Sequence, residues 1–369
     1  GIRDLVRSRG LGDVYKRQPS IYLTVGSKSA PTRNLAEMTK KGVELTLGWQ
    51  DHVGDFSYSV SGNFSYTPNK VTKYKGEFKA GYDEEGNYVS NIGDVASSSS
   101  SVSPIIEGHI ANEFYLKNPY QGTGKGFDVD GVNGGPVDGM IRTETDMAWL
   151  KAMVDEGYTF MPNKTVSKDK IWYGDYVYAD YNGDGIYGGT DDREFQGVSS
   201  SPKYNFGLQM SAAWKGFDLS MNWAGQAGFK LYWGSSTGYN SPTTRVGVAL
   251  GTDIAYDHYF YDPENPSDPR TNINARYGRL VNGESGWQNT ETSSLYLFNA
   301  NYLKLKNLTF GYTFPKNMIQ KVYMENLRLY VSIENVFNIT NFPGQDPELG
   351  ASPAYTSVRQ FAFGVNLSF

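Results

Sequence analysis

The chain's last eleven residues read Arg359-Gln360-Phe361-Ala362-Phe363-Gly364-Val365-Asn366-Leu367-Ser368-Phe369. Every second side chain from Phe361 to Phe369 is apolar, and those between are small or polar. Because successive side chains of a β-strand point to opposite faces, this stretch predicts a strand with one apolar and one polar, solvated face. A β-sandwich in a soluble protein could also end on such a strand. A transmembrane β-barrel fits better, because lipid-facing and lumen-facing residues must alternate there and outer-membrane barrels commonly end on a phenylalanine.

Composition narrows the class of protein. The 369 residues include 28 Tyr, 19 Phe, 7 Trp and 42 Gly but no cysteine, which excludes a disulfide scaffold and a thiolate metal site. No run approaches the roughly 20 apolar residues of a membrane helix, whereas the strands of a barrel need no such run. The net charge of −5 argues against a nucleic-acid partner.

Residues 1 to 18 differ from the rest of the chain. They lack alternation, begin without Met and contain no apolar signal core. We expect them to be a non-native, assembly-derived segment, with an ordinary basic loop as the alternative. Residues 19 to 369 are then the barrel portion of a protein that begins upstream of this chain.

Alternating segments recur along the chain and predict about eight strands. The two-residue turn Lys215-Gly216 between two such segments is a strong hairpin signal. Some segments are shorter than the roughly 9–11 residues that a membrane crossing needs. The predicted strands are residues 43–50, 56–66, 204–214, 217–223, 308–314, 327–333 and 359–369, with a weaker candidate at 21–25.

Two long segments, residues 68 to 202 and 230 to 295, interrupt the strands and are rich in Gly, Ser, Asp, Asn and Tyr. If Phe369 ends on the periplasmic side, the shorter connections also lie there and both long segments are extracellular, as in outer-membrane barrels. Within them, residues 144 to 156 predict a short amphipathic helix. We assign the strand-like pieces at 109–116 and 171–179 to this extracellular structure. The predicted fold is an all-β transmembrane antiparallel barrel, incomplete here, with about eight strands of a larger barrel.

Several motifs resemble those of one known family. Lys41-Gly42-Val43-Glu44-Leu45, within residues 34 to 47, and Tyr178-Ala179-Asp180-Tyr181-Asn182-Gly183-Asp184-Gly185 are similar to two characteristic segments of SusC/RagA-type TonB-dependent outer-membrane transporters of Bacteroidetes. The sequence departs from the family at Thr39-Lys40, where an Asn usually precedes Lys-Gly. Further matches lie at residues 202–207, 215–220, 301–308 and 325–337.

The resemblance implies a function for the parent protein. Such transporters have roughly 22 strands and a plugged lumen. The chain would be the C-terminal barrel portion of an importer of oligosaccharides or peptides in the cell outer membrane. Its partners would be a SusD-like surface lipoprotein and, through an N-terminal part absent from this chain, the TonB complex. It would be no enzyme and would have no catalytic residues. The alternative is a small self-contained outer-membrane barrel, or a surface adhesin or structural β protein.

One acidic segment has the composition of a cation loop. Asp180, Asn182 and Asp184 alternate before Gly185, and Asp191 stands at the twelfth place, which approximates an EF-hand-like Ca²⁺ loop. Asp191 replaces the usual Glu, and no flanking helix pair is evident. The alternative is a turn in which Asp and Asn side chains bond to their own backbone.

The remaining motifs are weaker signals of function. Residues 234 to 238 match G-x-S-x-G, but the next residues, 239 to 242, make a poor start for the helix that a nucleophile elbow needs, so we expect a polar loop. His52, His109 and His258 offer no metal spacing, and Asp83-Glu84-Glu85 is a solvated charge run.

Aromatic residues crowd the long segments. They are expected either to form the girdle at the membrane interface or to stack on incoming ligand. The set comprises Trp172, Tyr173, Tyr176, Tyr178, Tyr181, Tyr187, Tyr232, Trp233 and Tyr239.

Overall fold

The computed structural model describes residues 5–17, 33–74, 78–82, 88–92, 105–127, 134–233, 252–280, 287–351, 355 and 357–369. The weak strand predicted at residues 21–25 lies outside these ranges. Among the described residues, no helix is both long and apolar enough to cross a bilayer.

Strands dominate the described chain. In chain order they are β1 (Leu5–Arg17), β2 (Arg33–Val53), β3 (Phe56–Tyr66), β4 (Asn69–Tyr74), β5 (Phe78–Tyr82), β6 (Tyr88–Ile92), β7 (Glu113–Leu116), β8 (Thr159–Phe160), β9 (Ile186–Tyr187), β10 (Glu194–Ser199), β11 (Tyr204–Trp214), β12 (Phe217–Ala227), β13 (Lys230–Tyr232), β14 (Leu297–Asn299), β15 (Tyr302–Thr313), β16 (Asn326–Thr340) and β17 (Gln360–Ser368). The helices are α1 (Glu144–Asp155), α2 (Thr252–Tyr256), α3 (Trp287–Thr290) and α4 (Lys316–Ile319), with 3-10 turns at Ser294–Tyr296, Gln320–Val322 and Pro347–Leu349.

One large antiparallel sheet contains all seven strongly predicted strands. Its order is β1-β2-β3-β11-β12-β15-β16-β17, and β4 pairs with the N-terminal half of β2. The all-β, antiparallel prediction is therefore confirmed. No pairing joins β1 to β17 within the described ranges, so the sheet is an open wall. Its first strand, β1, lies in the stretch for which the sequence predicted no strand.

The connections differ at the two ends of the wall. Residues 54–55, 215–216 and 314–325 join neighbouring strands at one end, whereas the long connections after β3, β12 and β16 leave from the other end. Lys215 and Gly216 both have positive φ, 46° and 91°, as the tight turn that matches the twist of a hairpin requires. The alternation of short turns and long loops is the one that the sequence predicted.

The two faces of the wall have opposite chemistry. Leu47, Gly62, Leu208 and Trp223 lie side by side on one face across β2, β3, β11 and β12. Many apolar side chains of this face are exposed: Leu208 is 37% accessible and Phe363 is 80%, whereas others, such as Met221 and Leu308, are half-buried. A contiguous apolar surface of this extent is not a water-facing surface of a monomeric protein. We call it the apolar face, and the opposite one the polar face.

Two rows of aromatic residues bound the apolar face. Phe56, Trp214, Phe217 and Tyr312 are lateral neighbours at the end with the short turns, and the rings of Phe217 and Tyr312 are 4.6 Å apart. Tyr66 and Tyr204 pair at the other end, with ring centroids 4.9 Å apart. On β3 and on β11, nine residues lie between the two rows, which corresponds to a height of roughly 25 Å for tilted strands, the height of a membrane-crossing apolar band.

An aromatic ring lies against the backbone of the last strand on the polar face. Gly364 in β17 pairs with Tyr330 in β16, and a Cβ atom at Gly364 would overlap the Tyr330 ring. The guanidinium of Arg328 lies 4.8 Å from the centre of the same ring. The ring thus occupies the place of a side chain that the glycine lacks.

We expect Gly364→Ala to destabilise the folded wall by about 1–3 kcal/mol, because the added methyl group must displace a ring that other groups hold. Urea unfolding in detergent, followed by the heat-modifiable gel band, measures the change. The double variant Gly364→Ala, Tyr330→Ala is the control and should be less destabilised than the sum of its parts. Strict additivity of the two single changes would contradict the contact.

The long connections fold into a compact body, here called the loop region (described residues within 105–200 and 228–300). Its main core surrounds α1, which buries Met147, Trp149, Leu150 and Met153. Thr143 caps the helix through a reciprocal pair of hydrogen bonds with Asp146. The predicted helix at residues 144–156 is confirmed. The pieces at 109–116 and 171–179 lie outside the wall, as expected, with β7 paired to β10.

Candidate functional site

The polar face of the wall is lined by hydroxyl and amide groups. Across β3 and β11, the Oγ atoms of Ser59 and Ser211 are 2.8 Å apart, and the hydroxyl oxygens of Thr309 and Ser332 are 2.9 Å apart across β15 and β16. An open cavity of about 530 Å³ lies against this face near the short turns. Its lining includes Gln50, His52, Ser57, Ser59, Ser211 and Asp218.

An ion pair spans three strands on this face. Arg328 in β16 donates through Nη2 to Asp218 in β12, at 2.6 Å, and through Nε at 2.9 Å. The pair crosses Gly311 of the intervening β15, where a Cβ atom would come within 2.6 Å of both partners. Glycine at this position therefore allows the two charges to meet over the backbone between them.

Four of the nine aromatic residues singled out in the sequence occupy the core of the loop region. Tyr173, Tyr176, Tyr178 and Tyr187 are buried in its main cluster. They therefore neither form the interface girdle, which is made by other residues at the ends of the wall strands, nor present free rings to a ligand. The expectation was wrong for these four because a long connection can bury aromatic side chains in a core of its own. Tyr181 is 40% accessible, Trp172 is partly buried, and Tyr239 lies outside the described residues.

A buried carboxylate holds the connections after β3 and β12 together. Asp175 is fully buried and accepts hydrogen bonds from Nε and Nη2 of Arg279 at 2.9 and 2.7 Å. Nδ2 of Asn289 and the backbone N–H of Trp172 also donate to it, both at 2.8 Å. Burial raises the pKa of the Asp175 carboxyl above its ordinary value, and the hydrogen bonds and charge of Arg279 oppose the rise. No sequence signal connects residues that lie 104 positions apart.

The acidic segment 180–192 folds as a turn closed by its own backbone. Asp180 accepts hydrogen bonds from the N–H groups of Gly183 and Gly185, at 2.7 and 2.9 Å. Asn182 accepts from Asp184, and Asp184 from Ile186, at 3.0 and 2.8 Å. Such bonds are those of Asx turns.

The sequence pattern places Asp191 at the end of this loop, but Asp192 closes it. Asp192 is 1% accessible and accepts from the backbone N–H groups of Tyr181 and Gly189 at 2.8 and 2.7 Å. Burial raises the pKa of its carboxyl, and the nearby Asp180 acts in the same direction. Within the described ranges, no group of three or more acidic, His or Cys side chains is arranged to hold a metal ion.

Calcium binding by Asp180, Asn182, Asp184 and Asp191 stays a prediction. If the segment binds Ca²⁺, millimolar Ca²⁺ should raise the unfolding temperature, since a ligand that binds only the folded state stabilises it. Calorimetry with Ca²⁺ and with a chelator measures this, and Asp180→Asn should abolish the increase. An unfolding temperature that is the same in both buffers would assign the segment to the turn alone.

Two lysines of β15 bind the last connection to the wall. Lys304 is 3% accessible and donates to Asp346 at 2.7 Å and to Glu348 at 3.0 Å, while Lys306 also donates to Glu348. Burial alone would raise the pKa of the Glu348 carboxyl, but hydrogen bonds from both lysines lower it below its ordinary value of 4.5. These contacts hold the 3-10 turn Pro347–Leu349 against β15.

We expect this attachment to weaken in acid. The folded state holds the Glu348 proton less tightly than the unfolded state, so the stabilisation is present above pH 4.5 and is lost as the pH falls through the lowered pKa. A spin label on Leu349→Cys should become more mobile in that range. The additional change Glu348→Gln should make the label mobile at neutral pH, and a label equally immobile at pH 3 and pH 7 would contradict the attachment.

The remaining sequence candidates do not form a site. Nδ1 of His109 lies 2.9 Å from Oε2 of Glu113, and Nδ1 of His258 lies 3.0 Å from the carbonyl oxygen of Ile254. Both are local contacts four residues apart. The G-x-S-x-G match at 234–238 and the acidic run at 83–85 lie outside the described residues.

The geometry defines a class: an antiparallel β-barrel wall of the outer-membrane type with a large loop region at one end. Comparison with known proteins narrows it to relatives of TonB-dependent receptors. TonB-dependent receptor P3 of Formosa agariphila is 25% identical over 358 residues, which is 92% of this chain and 30% of the relative. TonB-dependent receptor SusC of Bacteroides thetaiotaomicron is 23% identical over 361 residues, covering 95% of this chain and 28% of SusC. None of the protein-family models compared with the sequence matches it.

Solved structures show the same fold. The RagAB peptide transporter aligns with a TM-score of 0.63 and 18% identity, over 100% of this chain and 33% of that one. The open-open state of the RagAB peptide importer aligns with a TM-score of 0.61. The resemblance to SusC/RagA-type proteins is confirmed, and the chain spans about 30% of the length of the curated relatives it matches. These names are those of receptors and importers, in line with the expectation that the chain has no catalytic role.

Proposed function

We propose that this chain forms part of the barrel wall of a TonB-dependent importer in the outer membrane. The observation that carries the proposal is the exposed apolar face between two rows of aromatic residues, opposite a face of hydroxyl, amide and charged groups. Lipid is the solvent that such a face suits, and a polar lumen is the counterpart of the other face. The similarity to TonB-dependent receptors supports the same assignment.

The substrate and partners are part of the proposal. We infer an oligosaccharide or a peptide as cargo, because the resemblance to SusC/RagA-type transporters implies one or the other and the structural neighbours are named as peptide importers. A SusD-like surface lipoprotein would cover the loop region, and the TonB complex would supply energy through a part of the protein outside this chain. The compact loop region offers such a lipoprotein a folded surface at one end of the wall.

Uptake measurements test the proposal. Cells that carry the protein at its full natural length are given fluorescent oligosaccharides and peptides, with TonB present or deleted. We expect the label to reach the periplasm only when TonB is present, and deletion of the gene for the SusD-like lipoprotein to reduce uptake. Label that binds to the surface but never enters would instead support the adhesin or structural alternative.

A further inference from the structure

A second cavity, of about 250 Å³, lies in the loop region. The side chains of Asp138, Arg142, Tyr176 and Arg276 line it, together with Tyr296. Its volume is below that of pockets that enclose a whole drug-sized ligand, so it can take an end group or one residue of a longer ligand. Two arginines and one aspartate give its lining a surplus of positive charge.

The charge of Arg142 is already compensated. Its Nη2 and Nε donate to Oδ2 of Asp138 at 2.7 and 3.0 Å, and its Nη1 donates to the carbonyl oxygen of Ile273 at 2.7 Å. All three nitrogens of this guanidinium therefore have acceptors. Asp138 and Arg142 form a neutral pair on one side of the cavity.

Arg276 is in a different situation. Its guanidinium carbon lies 5.0 Å from the ring centre of Phe298 and 5.5 Å from that of Tyr277. Across the described ranges, the guanidinium contacts no hydrogen-bond acceptor or carboxylate within bonding distance, and the residue is exposed. The fixed fork of N–H donors thus remains available.

The backbone at this residue is held in place. Tyr176 donates its hydroxyl to the carbonyl oxygen of Arg276 at 2.8 Å, and the N–H of Arg276 donates to Asp257 at 3.4 Å. Burial raises the pKa of the Tyr176 hydroxyl, so it remains a donor at neutral pH. An anchored backbone and two rings reduce the conformational entropy that the guanidinium loses when it binds an anion.

We propose that Arg276 binds a carboxylate group of the imported ligand in this cavity. The inference rests on the proposed transport function and specifies one property of its substrate. A planar carboxylate matches the guanidinium fork with two parallel hydrogen bonds, which phenol or hydroxyl groups cannot do. The carboxylate is either the C-terminus of a peptide or that of an acidic sugar.

Paired probes distinguish these sources. Calorimetric titration of the detergent-purified protein, at its full natural length, uses trialanine against trialanine amide and trigalacturonate against its methyl ester. We expect one charged probe to bind about ten- to a hundredfold more tightly than its neutral counterpart, the range of a charge-assisted hydrogen bond. The pair that shows the preference identifies the source.

Variants assign the preference to Arg276. Arg276→Gln should remove it, and Arg276→Lys should restore part of it. Arg270→Gln is the matched control, because Arg270 also lies over a ring, that of Phe260 at 4.6 Å, but is already paired with Asp268 at 2.8 Å. This variant should keep the preference unchanged.

Three results would overturn the assignment: no binding of either charged probe, equal binding of charged and neutral forms, or a preference that survives Arg276→Gln. None of them bears on transport itself, which TonB-dependent uptake decides separately. Loss of uptake in the earlier experiment, with the preference intact here, would contradict the transporter proposal and leave the anion site.

Discussion

Replacing Arg279 by Gln should lower the opening free energy of the loop region by about 3–5 kcal/mol, because it leaves the fully buried Asp175 without its cation. The guanidinium joins the second long connection to the first. It also donates to the carbonyl oxygens of Lys168 and Lys170, at 2.8 and 3.1 Å, so its loss leaves further acceptors unpaired. This is the largest single effect that we expect in the loop region.

Hydrogen exchange of the backbone amides at residues 171–179 measures the opening free energy. Arg270→Gln, which removes an exposed arginine from a partly buried aspartate, Asp268, should change exchange little. Asp175→Asn combined with Arg279→Gln should cost less than the sum of the two single changes, because no unpaired charge then remains. Exchange in Arg279→Gln that matches the parent protein would show that the pair does not hold the connections together.

A lysine on the apolar face should have the second large effect. Leu208→Lys places a charge near the middle of β11, between Gly62 and Trp223, and should destabilise the membrane-inserted protein by about 2–4 kcal/mol. The matched control is Gln209→Lys, which introduces the same lysine one residue further along the strand. Gln209 lies between Ser61 and Asn222 on the polar face, so we expect a change within about 0.5 kcal/mol.

Urea titration of both variants in lipid bilayers, followed by the heat-modifiable band, tests this difference. Equal effects of the two lysines would mean that the two faces meet the same solvent. A membrane-spanning wall would then be excluded, whatever the similarity to known transporters.

The strands were predictable because the signal for each lies within a dozen residues. Alternation identified β11 and β12, and the Lys215-Gly216 turn indicated their pairing directly. The position of the strands relative to the membrane was harder to predict from the sequence. The aromatic rows that mark it depend on the register, which places Trp214 beside Phe56 and Phe217. The strand β1 was missed because its residues do not alternate.

The loop region was largely hidden from sequence reasoning. Its helix α1 has a helical period and a capping box, both of which are local signals. The partnership of Asp175 with Arg279, by contrast, depends on how two connections fold against each other. The same holds for Arg276, whose lack of an acceptor among the described residues is a property of its neighbours in space.

The contact between Gly364 and Tyr330 also limits how the last strand can slide. A shift of β17 by one residue would turn its phenylalanines into the lumen. A shift by two keeps each side chain on its face but brings Ala362 or Asn366 opposite the Tyr330 ring. The Cβ atom of either residue would then overlap the ring, which leaves room only for the hydrogen atom of a glycine. The contact between the ring and the glycine therefore fixes the register of the final hairpin. Alternation alone would allow several registers, and this contact allows one of them.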